Sequence, residues 1–449
     1  MKRKAFFFSI TLFAIYSMPS VHAEGNGLTL HHAFQLAVER DSALAAARYS
    51  LQAIQQKVPE ARSALLPSLS STASIAYNYS QTDITGFAVT RNYDSNNLSL
   101  NLTQTLFRLD DFINLQQAKL LIEQESNKFQ ASLQDLILRV AESYFDVLSA
   151  HESLAVAQAE KKAFAGSLDR AKATYRIGTT TITDKLEAQA RFDLSVANVL
   201  SSENNYAVAL HTLASIIEQT PTRLSKLIPN SDFSNLIEQR SMQTWVDIAL
   251  SHNFEILQST AAYQAAQKNM KKLRAQHFPS LDLVGSGNRS TSQSQFSTAG
   301  QDITFSQVSI NLQLTIPLYS GGLTSARVKQ AIAEKERNKE QLEASKRKIA
   351  LQTKKNYLAV VNGAQQIKAL QQALLSSASA LNATKTGIQV GVRTNLDLLN
   401  SQQQHFSTQR DLSVAKHSYL VNILRLQASS GELKEEHILG MSHLLKSTP

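Results

Sequence analysis

The sequence predicts a mainly α-helical protein with a transmembrane β-barrel, in which two internal structural repeats each supply strands and a long helical hairpin. Three observations predict this fold class. The chain has long stretches without proline, four segments in which apolar and polar residues alternate, and a self-match at an offset of 212 to 213 residues. The 449 residues include only 15 Gly and 8 Pro, which suits long uninterrupted elements.

Composition excludes several classes of protein. The chain has no cysteine, so it cannot hold a disulfide framework, a thiolate metal site, a cysteine nucleophile or a lipid anchor attached through cysteine. The formal net charge is +9, and Lys2, Arg3 and Lys4 supply three positive charges in a segment that we expect to be removed. No dense basic patch is interleaved with aromatic residues, so we do not expect nucleic acid as a partner.

The first 23 residues have the pattern of a secretory signal peptide. A basic start, MKRK, precedes an apolar core of about 14 residues, and Val21-His22-Ala23 predicts cleavage after Ala23. A membrane anchor is the alternative, but the core is too short to span a bilayer as a helix. No later apolar run reaches the length of about 18 residues that a transmembrane helix needs. An exported chain of this kind is either soluble or crosses a membrane as β-strands.

The self-match defines the organisation of the chain. Arg62, Pro67, Ser68 and Leu69 return as Arg274, Pro279, Ser280 and Leu281. The segment RIGTTTITDKLEAQ also returns, as QVGVRTNLDLLNSQ. Anchors at one offset predict two copies of one structural unit and argue against a single asymmetric active site. We therefore expect a first repeat at 24–230, a second repeat at 231–430 and a flexible C-terminal tail at 431–449.

Each repeat carries a pair of predicted strands. Alternation of apolar and polar residues is clearest in VSINLQLTI, which begins at Val308. It is the pattern of a barrel strand with one face to lipid and one to water, although a half-buried strand of a soluble sheet gives the same alternation. Export and the aromatic residues near the strand ends favour the membrane. The predicted strands cover about 67–80, 97–107, 279–288 and 307–319.

The number of strands predicts an oligomer. Polar links at Ser80–Asn97 and Asn288–Gln307 join the strands of each pair, and we expect them to form external loops. Four strands cannot close a barrel, because the smallest bacterial barrels have about eight. Several chains must therefore share one barrel, and three copies would give twelve strands.

A long helix follows each strand pair, over about Asp111–Ile177 and Thr324–Val390. At 1.5 Å per residue each helix would be about 100 Å long. Return helices are predicted at about Thr183–Ile217 and Asn395–Ala428, with apolar residues at the spacings of three and four that favour coiled-coil packing. A rod of this length needs neighbouring helices, which again predicts an oligomer.

The two helical hairpins turn at similar tips. Gly178 and Gly391 suit the left-handed position that ends a helix, and Thr181–Asp184 and Thr394–Asp397 resemble capping boxes in which Asp replaces the usual Glu or Gln. Helix capping therefore explains both aspartates. If three chains form a tube, three copies of Asp397 would also form a ring of carboxylates, which selects cations in pores. The two roles are compatible.

These features together resemble the TolC family of outer-membrane efflux and type I secretion proteins. The resemblance rests on the signal peptide, the two strand–helix units, the tips RIGTTTITDKLEAQARFD and VGVRTNLDLLNSQQQ, the IPLYSGG of Ile316–Gly322, and the pair Tyr144 and Tyr357. It covers about Leu28–Leu433. Because no cysteine follows the signal peptide, the chain resembles the branch of the family without a lipid anchor.

The resemblance implies a homotrimer in the outer membrane of a Gram-negative bacterium. A twelve-stranded β-barrel would lie among the lipids of that membrane and continue as a tunnel of twelve helices across the periplasm. A periplasmic adaptor of the membrane fusion type and an inner-membrane transporter of the ABC, RND or MFS type would dock on the tunnel. The tube would passively conduct drugs, toxic small molecules or secreted proteins, would be opened at its tip by these partners and would need no cofactor.

The resemblance also implies roles for residues at the tips. Four positions match a gate latch that holds the tunnel closed, two match the entrance ring, and two glycines mark the tips where the adaptor docks: Thr183, Asp184, Ile388 and Arg393; Asp397 and Asn400; Gly178 and Gly391. Two positions depart from the family pattern. Asn400 replaces a second entrance aspartate, so we expect a weaker cation preference. Ile388 replaces an aromatic latch residue and cannot form its hydrogen bond, so we expect Arg393 to hold the closed state with Thr183 and Asp184.

Other functions fit the sequence less well. It has no zinc-protease motif, no P-loop and no Gly-x-Ser-x-Gly, so we do not expect an enzyme or a metal site. One alternative is an exported coiled-coil protein with a structural or adhesive role, but that protein would not need alternating strands. The other is a general diffusion porin, which would be dominated by strands, whereas we expect helix to dominate here.

Overall fold

The computed structural model describes residues 27–84, 86–221, 223–228, 240–293 and 302–446. The predicted signal peptide at 1–23 lies outside the described residues. In chain order the helices are α1 (Leu30–Arg40), α2 (Ser42–Gln55), α3 (Lys57–Ser63), α4 (Leu109–Arg176), α5 (Ile182–Ile217), α6 (Met242–His252), α7 (Phe254–Ala275), α8 (Leu323–Gln389), α9 (Asn395–Ser430) and α10 (Glu435–Ser442). The strands are β1 (Ser68–Ile84), β2 (Phe87–Phe107), β3 (Lys226–Leu227), β4 (Ser280–Gln293), β5 (Asp302–Thr315) and β6 (Leu445–Lys446).

The fold is mainly helical and has the two predicted repeats. A strand hairpin leads into α4, of 68 residues, and α5, of 36 residues; a second hairpin leads into α8, of 67 residues, and α9, of 36 residues. At 1.5 Å per residue α4 and α8 are each about 100 Å long. Within the described residues, no helix combines the length and the apolar character needed to cross a membrane.

The long helices form an arc with two open edges. α4 packs against α2, α5, α7 and α9, while α8 packs on α7 and α9, and α5 also contacts α9. The order across the arc is therefore α2 or α5, then α4, then α7 or α9, then α8. This order leaves α5 and α8 as the two edges of a single chain along the half of the long helices that ends at the hairpin tips.

The four long strands form one antiparallel sheet in the order β1-β2-β4-β5. The two repeats join at its centre, where Leu102 of β2 lies opposite Gly285 of β4. β1 and β5 are the edge strands, so each has one row of backbone donors and acceptors that is unpaired within the described residues.

The prediction of a loop at Ser80–Asn97 is wrong. β1 continues to Ile84 and β2 begins at Phe87, with Gly86 at a φ of +87° in the tight turn between them. Pairs such as Asn78 and Tyr93 continue the ladder. Most residues of the segment are polar because it extends beyond the apolar band of the sheet, and strand pairing requires only that backbone groups meet.

The bounds in the second repeat also differ from the prediction. β4 extends to Gln293, beyond the predicted end at 288, and β5 runs from Asp302 to Thr315. β5 stops short of the predicted end at 319 because Pro317 has no N–H to donate to a ladder. The rest of the predicted loop Asn288–Gln307, at 294–301, lies outside the described residues.

The tail after Gly431 is structured over much of its length, contrary to the prediction of a flexible segment. It forms α10 and β6, and β6 pairs with β3 through Leu445 and Leu227. Ile438, Met441 and Leu445 are buried against the main core. Their spacing of three and four residues makes a short apolar face, which is hard to recognise within a polar segment.

Midway along the helices a compact core ties the chain ends to the coils. Tyr144 of α4 is fully buried, and its hydroxyl lies 2.8 Å from the carbonyl oxygen of Leu28 and 3.0 Å from that of Ser225. Gly431 ends α9 at a φ of +80°, where a Cβ would lie 2.4 Å from the carbonyl oxygen of His252. A side chain at position 431 would therefore separate α9 from α6 and α7.

A buried histidine lies in the same region. His417 of α9 is 3% exposed, and its ring centroid lies 6.1 Å from that of Phe145 on α4. Burial lowers the pKa of His417, because a dry site disfavours the charged imidazolium, while Glu152 and Asp146 of α4 act in the opposite direction. The folded protein therefore favours the neutral imidazole.

We expect acid to destabilise the protein through His417. Unfolded chains bind a proton at histidine near pH 6.5, above the pKa in the fold, so the free energy of unfolding falls as the pH drops through about 6.5. Between about pH 8 and about pH 5, His417→Gln should lose about 2 °C less of apparent Tm than the wild type, by circular dichroism of the helices. His32→Gln, at an exposed position, is the control and should behave as the wild type; equal losses in all three proteins would contradict the prediction.

Candidate functional site

The first helical tip is built by a capping box. α4 ends at Arg176, and Gly178 reverses the chain at a φ of +78°. The hydroxyl of Thr181 accepts the N–H of Asp184 at 3.2 Å, and the Asp184 Oδ2 accepts the N–H of Thr181 at 3.1 Å. Thr180 and Thr181 also donate their hydroxyls to Oδ2, at 2.6 and 2.8 Å. The capping role expected for Asp184 is confirmed.

The second tip repeats this construction. Gly391 has a φ of +80°, the hydroxyl of Thr394 accepts the N–H of Asp397 at 3.1 Å, and the Asp397 Oδ2 accepts the N–H of Thr394 at 2.9 Å. The capping role of Asp397 is likewise confirmed. The repeat thus places equivalent caps at the ends of both hairpins.

Both capping aspartates are held in the charged form. The hydroxyl of Thr180, then the hydroxyl and N–H of Thr181, lower the pKa of Asp184. The backbone N–H and side chain of Thr394, followed by the nearby Arg393, lower the pKa of Asp397. Within the described residues, all hydrogen bonds to these two carboxylates end on Oδ2. Each carboxylate therefore keeps Oδ1 for a further partner.

Arg393 is positioned by a glycine that sequence reasoning missed. Gly387 lies in the last turn of α8, and a Cβ there would be 2.6 Å from Cγ of Arg393. The carbonyl oxygen of Gly387 also accepts the N–H groups of Val392 at 2.9 Å and Arg393 at 3.2 Å. The stem of Arg393 thus lies directly on the helix. The available signal was a glycine that precedes the end of the helix and does not occupy the position that closes it.

A second contact that sequence reasoning missed joins the two hairpins. Arg191 of α5 donates to the side-chain oxygen of Gln403 on α9 and, through Nη2, to the Oδ1 of Asn400 at 3.3 Å. The offset between the repeats is 213 residues at the tips, as Asp184 and Asp397 show, so the position equivalent to Arg191 is Gln404 and its partner Gln403 is the adjacent residue. Asn400, predicted to line the entrance, is thus bonded within its own chain.

The predicted latch residues are close to the tips but are not bonded to one another in one chain. Thr183 and Arg393 are exposed, and Ile388 is half-buried. Among the hydrogen bonds and ion pairs of the described residues, none joins Arg393 to Thr183 or Asp184. The guanidinium of Arg393 and the Asp184 Oδ1 therefore remain available to another chain.

The edges of the arc expose apolar side chains in addition to the unpaired strands. They lie along the free sides of α5 and α8, where each is at least half exposed: Leu186, Leu194, Leu200, Val208, Leu351, Leu358 and Leu375. Rows of exposed apolar residues on long helices mark surfaces that a further copy or partner covers.

The outer membrane efflux protein family matches most of the chain, over residues 33–218 and 245–432. The outer membrane protein TolC of Vibrio cholerae is 30% identical over 92% of this chain and 93% of its own length. The alkaline protease secretion protein AprF of Pseudomonas aeruginosa is 32% identical over 91% of this chain and 85% of its own length.

A solved structure shows the same fold at lower sequence identity. The open state of the MtrE outer membrane channel of Neisseria gonorrhoeae superposes with a TM-score of 0.75 and covers 91% of each chain at 20% identity. At that identity the likeness concerns the fold, which is that of channels with a helical tunnel below a β-domain.

The contact between Gly387 and Arg393 can be tested by substitution. Gly387→Ala should displace Arg393, because a Cβ at 2.6 Å from Cγ cannot be accommodated. The free energy needed to open the tip locally should then fall by about 1 kcal/mol. Amide hydrogen exchange at Val392 and Arg393 should then accelerate about fivefold.

Gly166→Ala in α4 is the matched control. A Cβ at Gly166 meets nothing within 4 Å, so this variant should leave exchange at the second tip unchanged and should stabilise the helix slightly. Unaltered exchange in Gly387→Ala would show that the tip does not depend on this contact.

Proposed function

The chain belongs to the outer membrane efflux protein family, and from this premise we propose that it forms a trimeric exit duct for efflux or type I secretion. It is an outer-membrane protein of Gram-negative type, as the family and its relatives are. One observation carries the proposal: a single chain has a sheet with two unpaired edges above a helical arc with two uncovered edges. Neither half encloses a pore alone.

Three copies complete both halves at once. β5 of one chain would pair with β1 of the next, giving twelve strands, and α8 would pack against α5 of the next, giving twelve tunnel helices. Closure satisfies the backbone groups of the edge strands, which lipid cannot do. It also covers the apolar rows of α5 and α8.

The closed state would be held by contacts between copies. Because α5 and α8 are opposite edges of the arc, closure brings the start of α5 in one chain beside the turn after α8 in the next. Arg393 would then reach Thr183 and the free Oδ1 of Asp184. A charge-assisted bond to an anionic carboxylate is stronger than a neutral one, which suits a latch.

The entrance would carry one carboxylate per chain. Asp397 is anionic and stands at the tip, whereas Asn400 is engaged by Arg191. Three copies of Asp397 would form a ring that favours cations, with a weaker preference than a ring of six would give.

Partners would act at the same end. We place the docking of a periplasmic adaptor at the tips marked by Gly178 and Gly391, and an inner-membrane transporter beneath them. AprF is named for alkaline protease secretion, so secreted proteins are one cargo class for this chain, beside drugs and other small molecules. The duct is passive, and the transporter would choose the cargo.

Single-channel recording tests the duct and its latch together. Protein purified in detergent should be trimeric by cross-linking and should form ion channels in planar bilayers. Arg393→Ser should raise the basal conductance about threefold or more, because the latch bonds to Thr183 and Asp184 are lost. Arg410→Ser is the control, since Arg410 is exposed and forms its ion pair among the described residues with its neighbour Asp411, and this variant should conduct as the wild type.

Two outcomes would contradict these assignments separately. Monomeric protein that fails to permeabilise liposomes would end the proposal of a duct. Trimeric channels whose conductance is unchanged by Arg393→Ser would end only the latch assignment.

Arg191 provides an independent test of the contact between hairpins. Arg191→Ala frees α5 from α9 and should raise the basal conductance about twofold, less than the loss of the latch. Asn400→Asp turns the 3.3 Å contact with Arg191 into an ion pair and should lower the basal conductance. If Asn400 instead faces the pore, Asn400→Asp would increase the cation preference without lowering conductance.

A further inference from the structure

The four-stranded sheet has one apolar face. The register places Leu102 of β2, Gly285 of β4 and Ile310 of β5 side by side, so they share a face. The residues on this face along the helix-proximal part of the sheet are almost all aliphatic: Leu69, Leu98, Leu100, Leu102, Leu281, Leu283, Val308, Ile310, Leu312 and Leu314. This face contacts lipid in a barrel.

The opposite face is polar and faces the water of the lumen. The hydroxyl oxygens of Ser286 and Ser309 lie 2.8 Å apart across β4 and β5 on this face. Most of its other members are small hydroxyl or amide residues, with Ala76, Asp282 and Val284 as exceptions: Ser70, Thr72, Ser74, Asn97, Ser99, Asn101, Asn288, Ser290, Asn311 and Gln313.

The chemistry of the two faces reverses at the hairpin end of β5. Phe305 lies opposite Ser290, and Ile303 lies opposite Ser292; both are therefore on the lumen face with Ser309. Their side chains are 55% and 54% exposed in one chain.

The reversal is not a slip in register. β4 and β5 pair without a shift from Asp282 to Gln293. At the same level the outward face becomes polar. Thr291 and Thr304 lie on it, and their hydroxyl oxygens are 3.1 Å apart. The sequence thus changes both faces together, above the apolar band and at the far end from the helices.

We propose that Phe305 and Ile303, repeated in the three chains, form an apolar collar inside the outer mouth of the pore that binds the apolar part of an amphipathic cargo. This inference rests on the trimeric duct proposed above. Ser290 and Ser292, on the neighbouring strand, would meet the polar part of the same molecule. A twelve-stranded barrel is wider than the eight-stranded barrels that side chains fill, so the collar lines the exit and leaves it open.

The physical driving force is removal of apolar surface from water. An aromatic ring or alkyl chain that contacts Phe305 and Ile303 covers surface that is otherwise exposed on a wet wall, and aromatic pairs gain more than their area alone gives. Cargo of this kind could be a small organic molecule or an apolar side chain of an extended polypeptide, since both present the same chemistry.

The test is block of single-channel current by tetraphenylphosphonium, a cation with four aromatic rings, added on the hairpin side. From that side the probe reaches the collar without passing the helical tips. Wild-type trimers should show concentration-dependent block, and the double variant Phe305→Ser/Ile303→Ser should bind the probe about fivefold more weakly. An extended peptide containing phenylalanine tests the polypeptide source in the same way.

Two controls separate apolar binding from charge and from general damage. Tetramethylammonium has the same charge without the rings and should act equally on wild type and double variant. Gln307→Ser alters the same face of β5 at the next lumen-facing position. Tetraphenylphosphonium should block this variant as it blocks the wild type. Phe305→Leu/Ile303→Leu keeps the apolar surface and should retain most of the block.

Equal affinity of the wild type and the double serine variant for tetraphenylphosphonium would overturn the collar. So would a several-fold rise of basal conductance in the double variant without a probe, because the side chains would then be holding part of the channel's own chain across the mouth. Absence of any channel in the wild type would overturn the duct itself and the collar with it.

Discussion

The unpaired edges of the four-stranded sheet are the constraint on which the rest of the structure depends. Each unsatisfied backbone group costs several kcal/mol in lipid, so β1 and β5 need partners, and in the trimer we propose the neighbouring copies supply them. The proposed three-fold closure would also fix the helices, because α4 begins two residues after β2 and α8 begins eight residues after β5, as rods of 68 and 67 residues. The proposed barrel and tunnel would therefore share one symmetry.

In the gate we propose, the same residues of the helical tips would combine a structural and a functional role. Asp184 and Asp397 each use Oδ2 to cap a helix, which holds the carboxylate in a fixed place and in its charged form. A fixed anion is a good partner for a latch and a good member of a ring, because it needs no reorganisation to act. Arg393 is fixed in turn by its close contact with Gly387. The gate we propose is therefore preorganised in each chain before assembly.

The two repeats are similar in backbone but differ in chemistry at the positions that carry function. Asp184 and Asp397 are equivalent caps, whereas Arg191 and Gln404 hold equivalent positions with different side chains, and Arg191 bonds to the adjacent Gln403. Duplication gives two similar hairpins, and divergence within them allows contacts that identical repeats could not make. The outer strands also differ, because β5 turns Phe305 and Ile303 to the proposed lumen face at the mouth, where β2 of the first repeat places Tyr93.

Much of this protein follows from local sequence pattern. Absence of proline determined the long helices, period-two alternation determined the inner parts of the strands, and Thr-x-x-Asp after glycine determined both caps, because each depends on neighbouring residues alone. The pairing of Arg191 with Asn400, the seat of Arg393 on Gly387, the docking of Ile438 and the extension of β1 to Ile84 were decided only by the tertiary structure. These contacts join segments that packing, and not local conformation, brings together. The extension of β1 is largely polar and carries too little alternation to reveal a strand.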